Sequence, residues 1–223
     1  MRTTAFLAVV CAVALVGSAA AQELKVDCGT NVAAAAGWQQ ISHGVSGGLL
    51  SSPWGALTYD TTEFSGTWSS AAQPDAPVYG ALDGVAPGVG TASMDYIHAW
   101  DTPVPWPGPT VYLSGLPEGV YEVLVFCMEG YGTDMQNEVK LNDVLVGTCL
   151  DPGSSETDGS VAYDKAVVGG SVAVDASGVL NINVREVGYP YGSGRINGFV
   201  ITPEPATLGL IGLGLVSLLR RRK

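Results

Sequence analysis

Apolar and polar residues alternate with period two along most of this chain, and helix-period stripes are scarce. In "VLNINVRE" Leu180, Ile182 and Val184 fall on one side and Asn181, Asn183 and Arg185 on the other, which predicts a strand with one wet face. "VYEVLVFC", from Val120 to Cys127, is apolar on nearly both faces, as a strand near the middle of packed sheets would be. "EVKLNDVLVGTC" sets Asn142-Asp143 between two β-rich runs, a two-residue hairpin turn. "SVAVDASGVLNINV" repeats the device with a turn from Asp175 to Gly178, and "RINGFVIT" predicts a last strand from Ile196 to Thr202.

Thirty glycines, thirteen prolines and short strands separated by polar turns predict an all-β fold, an antiparallel β-sandwich. Residues 42–90 are different, rich in Gly, Ser, Ala and Pro with weak periodicity around Trp54, Tyr59, Phe64, Trp68 and Tyr79. A stretch of that length is either functional or carries short strands that its pattern conceals. It has too few apolar residues to fill a core of its own. Trp38, next to the opening strand, belongs to the core.

The two ends read as signals. Arg2, an apolar run from Ala5 to Val16 and small residues at Ala19 and Ala21 fit an export signal cleaved by signal peptidase, residues 1–21. Cys11 would leave with it. At the other end Ala206 to Leu219 has no charge, and as a helix it reaches only about 21 Å against a bilayer core of about 30 Å. Arg220, Arg221, Arg222 and Lys223 would hold its end on the cytoplasmic side, leaving residues 22–202 outside as the ectodomain. Pro203 and Pro205 flank Glu204 and enforce an extended entry, suited to capture by an enzyme. "PEPATLGLIGLGLVSLLRRRK" resembles the PEP-CTERM sorting tail in its three parts and their order. That resemblance implies export, transient membrane retention through the short transmembrane helix at 206–219, and recognition by an exosortase at the envelope of a Gram-negative bacterium that makes extracellular polysaccharide. An ordinary single-pass anchor would place the domain on the same side.

Removing the signals changes the charge picture. Residues 22–202 hold five cations and twenty of the 21 carboxylates, a formal charge of −15 where the whole chain has −11. Such a surface repels phosphate backbones and anionic lipid, so nucleic acid is not expected as a partner. Divalent cations, basic proteins and neutral glycans remain. Of Cys28, Cys127 and Cys149, the pair Cys127 and Cys149 would close a loop of about 23 residues, a disulfide contributing about 3 kcal/mol in the chain-entropy model. Three buried thiols are the alternative. No cysteine spacing suits zinc.

A second resemblance runs along most of 24–202. "VDCGTNVAAAAGWQQI", "VYLSGLPEGVYEVLVFCMEG", "EVKLNDVLV" and "GRINGFVI" are similar, in that order, to the strand and turn motifs of malectin-like and galactose-binding-like jelly rolls. The similarity implies a jelly-roll sandwich acting as a non-catalytic glycan-binding module. No sugar-site position carries over, because the aromatic spacing differs.

Neutral sugars are held by aromatic faces and a few carboxylates or amides on loops carried by a rigid sheet. "EVGYPYGSGRING" supplies Tyr189, Tyr191, Arg195 and Asn197; "HAWDTPVPWPG" supplies Trp100, Asp101 and Trp106 in a proline-stiffened frame. The same aromatics would equally serve to cap the edge and end of a sandwich core. Asp151, Glu156 and Asp158 place three carboxylates within eight residues, a candidate structural calcium loop without EF-hand spacing, or a solvated acidic loop. No other cofactor is indicated. His43 and His98 lie in no catalytic motif, and no carboxylate pair is singled out by its surroundings. The sequence thus predicts an exported, surface-sorted protein engaging extracellular polysaccharide. Its rivals are a matrix or adhesion protein with protein or calcium-bridged partners, and a small glycoside-active enzyme.

Overall fold

The computed structural model describes residues 23–30, 32–69, 82–92, 94–99, 108–128, 136–150, 158–187 and 193–204. Fourteen strands appear among them: β1 (Leu24–Cys28), β2 (Gln39–Ile41), β3 (Ser46–Ser52), β4 (Gly55–Asp60), β5 (Gly66–Ser69), β6 (Asp95–Ala99), β7 (Thr110–Ser114), β8 (Gly119–Phe126), β9 (Gln136–Leu141), β10 (Val144–Leu150), β11 (Val167–Val174), β12 (Val179–Glu186), β13 (Gly194–Ile196) and β14 (Gly198–Pro203). Two helices, α1 (Val89–Ala92) and α2 (Gly159–Ala166), complete the set, with a further helical turn over 82–85. One sheet runs β11-β8-β14-β1-β2, a second β10-β9-β12-β7-β4-β3, and a small third β13-β6-β5. Only β1 and β2 pair in parallel; the other described pairs are antiparallel.

Alternation decides what lies between the large sheets. Val123 and Val125 of β8, Phe199 and Ile201 of β14 and Leu180, Ile182 and Val184 of β12 are buried in one continuous core. A second cluster covers part of the outer face of the five-stranded sheet, where Trp38, Leu82, Val89, Ala162 and Ala166 pack on Phe126 and Val200. This second layer is why β8 is apolar on both faces near its end, and it places Trp38 in a core as expected.

The Asn142-Asp143 hairpin forms with both residues at positive φ, 45° and 67°, the twist that matches two antiparallel strands. Two sequence expectations are corrected. Asp175 to Gly178 does make a turn, with the Gly178 N–H donating to the Asp175 carbonyl at 2.9 Å, but it is an arch between sheets. β11 pairs with β8 in the first sheet and β12 with β7 and β9 in the second. The last strand also breaks at Asn197, because β13 pairs with β6 in the small sheet and β14 with β1 and β8 in the large one. Within 42–90, β3, β4 and β5 are present. Of the seven residues of β3 only Leu50 is buried, which explains why periodicity did not reveal it.

Candidate functional site

One end of the sandwich gathers the roots of several connections. Ala99, the last residue of β6, is the register partner of Gly194, the first of β13. Gly108 lies against β12, its carbonyl accepting from Asn183 Nδ2 at 2.8 Å. It has φ +92° and a Cβ there would meet the Val184 carbonyl oxygen at 2.4 Å, so glycine is required. The Ser193 carbonyl accepts from the Glu186 N–H at 2.9 Å, and the Gln136 carbonyl from the Val187 N–H at 2.8 Å. Gln136 is also the register partner of Leu150. The residues that flank 100–107, 129–135, 151–157 and 188–192 therefore form one rim.

Beneath the rim lies a charged floor. Arg195 Nη2 donates to Glu186 Oε2 at 3.0 Å, with the two side chains 1% and 5% exposed. The guanidinium sits over the Tyr96 ring, 5.7 Å from its centroid, and Tyr96 meets His98 edge-on at 5.8 Å. The pKa of His98 is pushed down to about 4, by burial first and then by the neighbouring Arg195 and His43, so the ring is neutral at physiological pH. Asn197 ties three elements: its Oδ1 accepts from the Met128 N–H at 2.6 Å and its Nδ2 donates to the Asp95 carbonyl at 3.1 Å.

The expected site residues divide accordingly. Tyr189, Tyr191, Trp100, Asp101 and Trp106 lie outside the described residues, as do Asp151 and Glu156. Arg195 and Asn197 are corrected from sugar contacts to parts of the floor: they are 1% and 0% exposed, and the interactions above engage them from inside. Asp158 is the N-cap of α2, its Oδ1 accepting from the Ser160 N–H at 3.0 Å and Oγ at 2.7 Å, bonds that hold its pKa below the usual carboxylate value. Among the described residues no group of three or more His, Cys, Asp or Glu is arranged to hold a metal.

Cys28, Cys127 and Cys149 are free, buried thiols, so the expected Cys127–Cys149 bridge is not formed in this structure. Cys149 Sγ instead donates to the Val125 carbonyl at 3.5 Å, and burial, followed by the neighbouring Cys149, pushes the Cys127 thiol up. Sequence reasoning also missed a pair of buried carboxylates, Asp27 on β1 and Asp95 on β6, both 0% exposed. The available signal was an aspartate inside the otherwise apolar end of "LKVDC".

At the C-terminal edge β14 runs through Pro203, and the Glu204 N–H donates to the Val120 carbonyl at 2.9 Å while its Oε1 accepts from Ser171 Oγ at 2.7 Å. Pro205 and Arg220, Arg221 and Arg222 lie outside the described residues, as does the expected helix at 206–219. No described helix is long and apolar enough to cross a membrane. Residues 202–223 match the family described as the PEP-CTERM protein-sorting motif. The chain carries a PEP-CTERM sorting motif. Such a motif implies export, processing by an exosortase-type enzyme and a cell-envelope or surface location in Gram-negative bacteria.

A comparison with curated protein sequences gave no match. Among solved structures the chain is similar to the protein YxiM of Bacillus subtilis, at 15% identity and TM-score 0.47, covering 82% of this chain and 40% of that one. The ANX2 ectodomain of Arabidopsis thaliana is similar at 10% identity and TM-score 0.49, covering 82% and 49%. Bacteroides uniformis beta-glucuronidase 2 is similar at 11% identity and TM-score 0.45, covering 81% and 18%. The chain thus spans less than half the length of each of these proteins.

Proposed function

We propose that this protein is an exported, surface-sorted and non-catalytic carbohydrate binder that associates with extracellular polysaccharide through the rim. The observation that supports the reading is the pairing of Ala99 with Gly194, the strand ends next to which Trp100, Asp101, Trp106, Tyr189 and Tyr191 stand in sequence. Aromatic and acidic side chains on adjacent loops of a rigid sheet are the mixture that neutral sugars select. The floor supports it, because a buried Arg195–Glu186 pair and the Asn197 amide fix the strand ends from which those segments leave. The export signal at 1–21 and the tail at 203–223, with its short transmembrane helix, deliver the sandwich to the cell surface through signal peptidase and an exosortase-type enzyme.

The test is a glycan array probed with the full chain in detergent, alongside Tyr191→Ala and Trp100→Ala. Retention on a defined glycan class, weakened tenfold or more by either substitution, is expected. A blank array together with calcium-dependent self-association would replace the reading with matrix adhesion. Release of reducing sugar from a polysaccharide panel would replace it with hydrolysis.

A further inference from the structure

Away from the aromatic segments, four oxygen-bearing groups converge where β1, β2 and β6 meet. Asp27 and Asp95 are wholly buried and interact with one another. Asp95 Oδ2 accepts from the Val32 N–H at 3.0 Å. The Gln40 amide reaches both the Val32 carbonyl and, at 3.5 Å, Asp27 Oδ2. A half-turn of that amide presents its oxygen to the same groups. Gly29 makes room for the cluster, since a Cβ there would sit 2.3 Å from the Asp95 carboxyl carbon. Asp27 Oδ1, fully buried, meets no hydrogen-bond donor among the described residues.

Two carboxylates in contact and out of water need a compensating positive charge. Among the described residues the side-chain donor to Asp27 is the neutral Gln40 amide, at 3.5 Å. We propose that Asp27, Asp95, the Gln40 side-chain oxygen and the Val32 carbonyl bind a hard divalent cation, calcium. All four donors are oxygens, and calcium accepts an irregular set completed to six or more by water. The ion would clasp β6 of the small sheet to β1 and β2 of the large one. Through the Asp95 carbonyl, which accepts from Asn197, it would also brace the floor of the rim.

The full chain, purified in detergent and stripped with EDTA, is titrated with calcium chloride and followed by thermal unfolding and by metal analysis. One calcium per chain is expected, with Tm rising by about 5–10 °C at a hundredfold excess over Kd. Asp27→Asn should abolish the rise. Gln40→Ala, which removes no charge, should weaken binding about tenfold. Asp175→Asn, at an exposed turn, should leave it unchanged. A Tm that responds to pH but not to calcium would overturn the proposal in favour of a shared proton. So would a calcium response that survives Asp27→Asn and is lost on Asp151→Asn or Glu156→Gln.

Discussion

Replacing Arg195 with methionine keeps most of the side-chain volume and removes the guanidinium bonded to the Glu186 carboxylate, at 3.0 Å with both groups almost wholly buried. Removing one partner of a buried pair costs about 3–5 kcal/mol, because the remaining ion stays out of water without compensation. The lost contact with the Tyr96 ring adds to this, by about 0.5–2 kcal/mol. For a chain of this size each kcal/mol moves Tm by about 2–4 °C, so Arg195→Met should lower Tm by at least about 6 °C. Replacing both partners, Arg195→Met with Glu186→Leu, removes the stranded charge and should recover more than half of the loss. The assay is urea unfolding of the wild type, both single variants and the double variant, followed by tryptophan fluorescence, with stability read from the midpoint at constant m. The cycle should give a coupling of at least about 2 kcal/mol. Losses that add within about 0.5 kcal/mol would refute the reasoning, and the floor would then be ordinary packing.

The pH dependence of stability should be set by Asp27 and His98 in opposite directions. Asp27 has a folded pKa of about 8 against an ordinary 3.8, so in EDTA it holds a proton that the unfolded chain has released, and stability falls as pH rises from about 4 to about 8. His98, depressed to about 4 from 6.5, makes stability fall as pH drops from about 6.5 to 4. Between pH 6.5 and 8 Asp27 acts without that opposition, and Asp27→Asn should flatten the slope measured there by urea unfolding at stepped pH. Asp143→Gly, at φ 67° in the β9–β10 hairpin, should stabilise by up to about 1 kcal/mol, because Asn-Gly suits this turn better than Asn-Asp; thermal unfolding would show Tm rising. Asp158→Ala should lower Tm by uncapping α2, checked by the same measurement, whether or not calcium is present.

Local chemistry made the sandwich legible where each strand has one buried and one wet face. The Asn142-Asp143 turn and the β12 alternation are of that kind, since both are decided within ten residues. The arch at Asp175 to Gly178 shows the limit. A hairpin and an inter-sheet arch use the same Asp-Ala-Ser-Gly chemistry, and only the pairing of β11 with β8 and of β12 with β7 and β9 separates them. The edge strands β3 and β4 were concealed for another reason: Leu50 and Leu57 are the only buried residue in each, so no period exists to detect.

The candidate site divides along the same line. Arg195 and Asn197 stand within eight residues of Tyr189 and Tyr191, and sequence spacing alone groups all four as binding residues. Strand register shows what holds Arg195 and Asn197: β13 pairs with β6 in the small sheet, β14 pairs with β1 and β8 in the large one, and Ser193 bonds to Glu186 of β12. A polar residue between apolar neighbours, as Arg195 is beside Ile196 or Asp27 beside Val26 and Cys28, therefore implies a buried partner before it implies a ligand. For Arg195 that partner is Glu186, nine residues back in sequence. Asp27 instead interacts with another carboxylate, Asp95, and like charges cannot neutralise each other. That asymmetry makes Arg195 a support for the rim and leaves Asp27 requiring a cation or a proton, a choice that calcium titration at fixed pH decides.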